Sequence, residues 1–141
     1  MPVVAAVIGE GGSGGALGMG VADRVLMLEN SIYSVAMPEA AASIVWRDSA
    51  RKQEAAEQLR ITAPEVLKMG VVDEIVPEPP GGAHLDHEQA AWELDAALMR
   101  NLAPLVGQSA EQLLQHRHDR FRYIDSLVRA LPDFGPKIQT A

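Results

Sequence analysis

The sequence predicts one α/β unit followed by a helical C-terminal extension. Three observations carry that expectation. Short β-branched apolar runs alternate with short helix-like stretches over residues 1–85, each bounded by Gly, Pro or Asn-Ser punctuation. Over residues 86–141 the strand-like runs stop, and apolar residues recur at helical spacing instead. The chain, at 141 residues, is long enough to bury one core, and its 48% hydrophobic and 22% charged residues are ordinary for a globular domain.

Taken in order, "PVVAAVI" (2–8) is a continuous apolar run, the pattern of a strand covered on both faces. "GEGGSGG" (9–15) follows as a glycine turn, and "GALGMGVAD" (15–23) as one or two helical turns weakened by Gly18 and Gly20. "RVLMLE" (24–29) and "IYSVAM" (32–37) read as strands with Asn30-Ser31 between them, a hairpin or a bent continuation. Pro38 opens the helix "PEAAASIVW". Asp48 is the expected N-cap of a second helix over 48–59, and Thr62 that of a third, which Gly70 ends. "VVDEIV" (71–76) is a strand stopped by "PEPPGG". Ala91, Leu94, Leu98 and Leu102 mark one face of a helix over 86–105. Ser109 and Gln112 form a capping-box pattern at the head of a long helix over 109–131, and the tail beyond it is expected to fray.

Charge and composition narrow the function classes. A net charge of −7 argues against general nucleic-acid binding, which depends on Lys and Arg neutralising phosphates. The one basic cluster, "HRHDRFR" (116–122), is interrupted by Asp119 and is expected to be a solvated helix face. The absence of cysteine excludes disulfides and thiolate metal ligands, and no apolar run is long enough to span a bilayer. "MPVVAAVIGEGG" lacks the basic head of a signal peptide, so the expected location is cytoplasmic, with no membrane partner. The chain opens on a strand with no lead-in, as a domain that starts abruptly or as the back half of something larger.

The glycine turn admits several readings. Gly9 to Gly14 satisfies G-x-G-x-x-G after a strand, with Glu29 standing about 20 residues on, where the ribose-binding acid of an NAD- or FAD-binding Rossmann module belongs. Against this, the following helix is short, and Glu10 would face a pyrophosphate. A P-loop is discarded because Gly15 and Ala16 stand where Lys and Ser/Thr are required. A third reading is an oxyanion site, in which consecutive glycines at a helix start present free N–H groups and the positive end of the helix dipole to developing negative charge. A fourth is that the glycines only let a strand pack tightly into a helix. The residues alone leave the dinucleotide, oxyanion and packing readings open.

Longer stretches narrow the choice. "VVAAVIGEGGSGGALGMGVADRVLMLENSIYSVAMPEAAASIVWR" and "ITAPEVLKMGVVDEIVPEPPGGAH", in that order, resemble the carboxyltransferase α subunit of bacterial acetyl-CoA carboxylase. The likeness runs from Pro2 to about His84 and covers only the C-terminal part of that subunit, which accounts for the abrupt start. It implies a partial crotonase-like (ClpP/crotonase) ββα spiral over 1–85 with a helical extension over 86–141. It also implies transfer of carboxyl from carboxybiotin, borne by a separate carrier protein, to acetyl-CoA, giving malonyl-CoA for fatty acid synthesis. The implied partners are the carboxyltransferase β subunit, the biotin carboxyl carrier protein and the ATP-binding biotin carboxylase, with the carboxyltransferase itself an α2β2 hetero-oligomer. In such enzymes the β subunit bears the zinc ribbon, so no metal is expected on this chain. By position, Gly14 and Gly15 match the family's backbone oxyanion hole, while Gly11, Gly12, Ser13 and Ala16 shape the approach of carboxybiotin. The chain is expected to be active only with the missing N-terminal part and the β subunit. Where many relatives have Gly-Cys after "PE", this chain has Ala40-Ala41, so no thiol function is assigned.

Other residues have plainer expected roles. Glu39 is a dipole partner at a helix start, and His84 fixes a loop or meets a partner. Tyr33 and Trp46 are core aromatics or pocket walls, and Met19, Met27 and Met37 are core filler. His116 and His118 point to different faces of their helix and do not suit a shared metal.

Overall fold

Two small parallel sheets, each rising one strand per turn of the chain, set the architecture. The computed structural model describes residues 1–130. The chain runs β1 (Val4–Val7), β2 (Glu10–Gly12), α1 (Ser13–Gly20), then β3 (Arg24–Leu28), β4 (Ile32–Ser34), α2 (Pro38–Trp46) and α3 (Lys52–Leu59). It continues through α4 (Ala63–Lys68), β5 (Glu74–Val76), α5 (His87–Leu102) and α6 (Ala110–Ala130). The first sheet has the order β1-β3-β5 and the second pairs β2 with β4, every pair parallel. The first two turns each lay one strand in each sheet and return by helix, a ββα repeat, and the third adds β5 to the first sheet alone.

This geometry decides one open expectation and corrects two. The Asn30-Ser31 bend does not close a hairpin: β3 stays in the first sheet while β4 crosses to the second, so the bent continuation is what forms. The strand expected over 32–37 ends at Ser34, where the Ser34 hydroxyl bonds the Ala36 carbonyl and Pro38 then begins a helix. Likewise, part of the glycine turn is itself strand. Glu10–Gly12 pairs with Ile32–Ser34 because glycines let that backbone lie against β4.

The core lies on both faces of β3, as its uninterrupted apolar run requires. Val25 and Met27 point to one face and pack with Ala22, Ala63, Val66, Met69 and Val72. Leu26 and Leu28 point to the other and meet Val76 and Ala97, with Leu94 and Leu98 of α5 alongside. Leu26 and Met27 are wholly buried, each stabilising the fold by roughly 1.5–3 kcal/mol. Of the three methionines expected in the core only Met27 is there; Met19 and Met37 are exposed, since α1 buries no residue and Met37 lies outside the second strand.

Helix α6 closes the N-terminal ends of the strands through charge. Asp23, just before β3, is fully buried; it accepts from the Val3 amide at 2.6 Å and from Arg117 at 2.5 and 3.0 Å. Asp73, just before β5, accepts from the Val25 amide and pairs with Arg24 at 3.1 Å and Arg120 at 2.8 Å. The basic cluster is thus a solvated face only in part: His116, His118 and Arg122 are exposed, whereas Arg117 and Arg120 turn inward because two carboxylates at the sheet edge need counter-charges. Burial by itself raises the Asp23 pKa, but Arg117 and the Val3 amide outweigh it and hold the carboxyl below its ordinary value.

The helix ends show where local signals govern. Ser109 and Gln112 exchange their capping bonds at 2.8 and 3.2 Å, and Asp48 accepts from Ala50. Thr62 occupies its N-cap position without a side-chain bond. Pro64, two residues on, has no N–H to offer it. Gly70 ends the α4 region at φ 70°. The tail expected to fray lies outside the described residues.

Candidate functional site

The junction between β2 and α1 is the place to which the sequence points. Gly12 is extended, Ser13 turns the chain at φ 60°, and α1 starts there with Gly14 and Gly15 in its first turn. N–H groups in a first helical turn have no acceptor within the helix. Among the described residues no side chain caps them either. A Cβ placed on Gly12, Gly14 or Gly15 would meet nothing within 4 Å, so space lies open on the side-chain side of the backbone there.

Beside this turn lies a cavity of about 380 Å³, floored by β1 and β2 and walled by α1 and Tyr33. Gly11, Gly12, Gly15 and Ala16 line it; Ser13 and Gly14 are exposed next to it without lining it. Among the described residues its ionisable lining side chains are Glu10 and Tyr33, and burial pushes the Tyr33 hydroxyl up, so that it stays protonated and can donate. What the cleft offers is therefore mostly main-chain polarity, with the partial positive charge of a helix start and the Glu10 carboxyl at its edge.

Tyr33 is the residue whose part the sequence understated. It sits opposite Gly11 in the β2–β4 register, its amide donates to the Ile61 carbonyl, and its hydroxyl donates to the Ala16 carbonyl at 2.9 Å. A Cβ on Gly11 would stand 2.7 Å from the ring, and one on Gly20 2.4 Å from the hydroxyl oxygen. Two of the glycines are there to admit this ring, a packing role that coexists with the open backbone at Gly14 and Gly15.

Glu29 lies elsewhere. With Asn30, Glu78, Gly82 and His84 it lines a second cleft at the C-terminal ends of β3 and β5, and it takes no part in the glycine cavity. That arrangement deprives the dinucleotide reading of its acid. In this second cleft Glu78 is a staple, accepting from the Asn30 amide at 2.9 Å and the Ala83 amide at 2.8 Å. Gly81 and Gly82, at φ 89° and 106°, make the turn that places Ala83 for that bond. Glu39 pairs with Lys52 at 3.4 Å in the first turn of α2, a helix-start role. Trp46, half-buried, carries the Arg51 guanidinium over its ring at 4.2 Å and is no part of the glycine cavity.

The comparisons with known proteins decide the family. Residues 1–125 match the family described as acetyl co-enzyme A carboxylase carboxyltransferase-like. The chain belongs to this family. Relatives named acetyl-coenzyme A carboxylase carboxyl transferase subunit alpha include one from Sorangium cellulosum, 56% identical over 128 residues, which are 91% of this chain and 40% of that one. Those from Thermosynechococcus vestitus and Deinococcus radiodurans are 50% and 57% identical, covering 93% and 86% of this chain. The chain thus spans about 40% of the length of these carboxyltransferase relatives. A Pseudomonas malonate decarboxylase hetero-tetramer, solved with coenzyme A, superposes with a TM-score of 0.66 at 18% identity, over 91% of this chain and 51% of that one. The α/β fold is the crotonase-like spiral of carboxyltransferases, here present in part. Among the described residues no helix is long and apolar enough to cross a membrane.

Proposed function

We propose that this chain is the C-terminal portion of an acetyl-CoA carboxylase carboxyltransferase α subunit, and that the N–H groups of Gly14 and Gly15 form its oxyanion hole. The reaction is transfer of carboxyl from carboxybiotin, presented by a biotin carboxyl carrier protein, to acetyl-CoA, yielding malonyl-CoA and biotin. The donor brings an N–carboxyl bond whose breaking leaves negative charge on the ureido oxygen. The chain's contribution is to receive that charge. Fixed amide dipoles at the head of α1 cost no reorganisation when the charge appears, so they favour the transition state over the bound substrate.

The observation that carries this reading is the uncapped first turn of α1, open on its side-chain side, beside a cavity walled mainly by backbone and apolar groups, in a chain of this family. Gly11 and Gly12 on β2, with Ser13 at the bend and Ala16 on α1, shape the approach. Ile8 and Met19 of the cavity wall, with Leu17 on α1 and Val35 just after β4, are more than 60% exposed, as a surface covered in an assembly would be. The proposed assembly is α2β2, with the β subunit supplying the acyl-CoA side and biotin carboxylase recharging the carrier, in the cytoplasm.

The test replaces Gly15 with Val in the complete α subunit, reconstituted with its β subunit, and follows malonyl-CoA formation. The new side chain enters open space, so the fold tolerates it while the amide is shielded. Loss of one such donor is worth about 10²–10³ in kcat. Wild-type kcat in Gly14→Val and Gly15→Val would overturn the assignment.

A further inference from the structure

We propose that Tyr33 is the positioning residue of this site: its hydroxyl, bonded to the Ala16 carbonyl, sets where α1 lies and so where the Gly14 and Gly15 N–H groups point. The inference rests on the oxyanion reading above and adds the part of the protein that aims the amides.

The need for such a device is visible in α1 itself. The helix buries no residue, and its sequence, SGGALGMG, has no apolar face to dock with. Eight residues, four of them glycine, do not hold a helix in place by propensity. The chain turns into α1 at a residue with positive φ, a joint that does not by itself dictate one helix direction. Something outside the helix has to fix it.

Tyr33 is built to do so. Its backbone is held by the parallel register with Gly11 and the amide bond to the Ile61 carbonyl, and its side chain packs against the cluster that contains Val25, Met27 and Val66. Its ring passes over Gly11 and its hydroxyl reaches Gly20, with a would-be Cβ under 3.0 Å at both places. The ring is therefore confined along its length, and its tip meets the helix one residue after Gly15. A side chain anchored in the core and bonded to the moving element is a strut: displacement of α1 would break the 2.9 Å bond or drive Gly20 into the hydroxyl. A misplacement on the order of 1 Å in such a site costs about a hundredfold in rate.

The experiment uses the complete α subunit with its β subunit, assaying malonyl-CoA formation in Tyr33→Phe, Gly20→Ala, the double variant, and Gly15→Val as a reference. Tyr33→Phe keeps the ring and loses only the bond. Its kcat is expected to fall about tenfold, with KM for acetyl-CoA within about twofold and the thermal midpoint of the assembly nearly unchanged, since one such bond is worth about tenfold in an equilibrium. Gly20→Ala pushes the methyl against the hydroxyl and lowers kcat further. Removing that hydroxyl in Gly20→Ala/Tyr33→Phe relieves the contact, so the double variant is expected to be faster than Gly20→Ala alone. A purely structural role would lower the midpoint and the amount of assembled enzyme without this split between kcat and KM. If Gly15→Val is inactive while Tyr33→Phe keeps wild-type kcat, the positioning proposal fails and the oxyanion reading stands. If Gly15→Val is fully active, both fall.

Discussion

Arg117→Met should undock α6, and the size of the effect follows from what it leaves behind. Asp23 has no exposed surface, and two of its three donors belong to Arg117. Removing the guanidinium strands a carboxylate with one amide for company. Breaking a buried pair from one side costs about 3–5 kcal/mol. Arg117 keeps about a fifth of its side chain in water, which places the loss near the lower end, about 3 kcal/mol. The measurement is amide hydrogen exchange of α6 peptides at pH 7, where opening of the docked helix is read directly. A 3 kcal/mol loss corresponds to exchange more than about a hundredfold faster in α6. Asp23→Asn should cost about 2 kcal/mol, and the double variant less than the sum, because neither partner is then left charged and alone. A change under about fivefold in Arg117→Met, or strict additivity in the double variant, would refute the reasoning.

Further outcomes are expected from other features. Asp23, Glu74 and Glu78 all titrate below the ordinary carboxylate range: Glu74 through Arg100 and Asn101, Glu78 because the Asn30 and Ala83 amides outweigh its burial. A depressed carboxyl contributes stability above its unfolded value and loses it as pH falls through the folded one. Urea midpoints should therefore be flat from about pH 5 to 8 and drop below about pH 4. Glu78→Ala frees two amide donors and should cost about 1–3 kcal/mol, seen as faster exchange at Asn30 and Ala83, with no such change in α6. Ser109→Ala removes one half of the capping box and should lower stability by about 1 kcal/mol in urea unfolding. Leu26→Ala opens a cavity at the centre of the sheet and should cost about 2–5 kcal/mol by the same assay.

Much of the fold was legible because its signals are local. The apolar run of β3, the Ser109–Gln112 box, the Pro38 helix start and the Gly70 stop each depend on neighbours a few residues away. What was not legible depends on distant partners. α2 and α3 are followed by Arg47 and Arg60 in the left-handed region, where no glycine announces a stop. The inward turn of Arg117 follows from Asp23, 94 positions earlier, which no reading of "HRHDRFR" alone can see. The same holds at the site. Glycine spacing marked the start of α1, but only the β2–β4 register, which sets Tyr33 against Gly11, separates the glycines that accommodate a ring from those whose side-chain position faces open space.

The parallel stacking also sets an order of events at the ribosome. Val4 meets Arg24 and Glu10 meets Ile32, so the first two turns can close on each other soon after both emerge. β5 joins only after Glu74 has been made, and Asp23 waits for Arg117. At about 5–20 residues per second, that wait lasts on the order of ten seconds. Through that interval the nascent sheet has an acid at its margin still hydrated, and the arrival of one late arginine seals it.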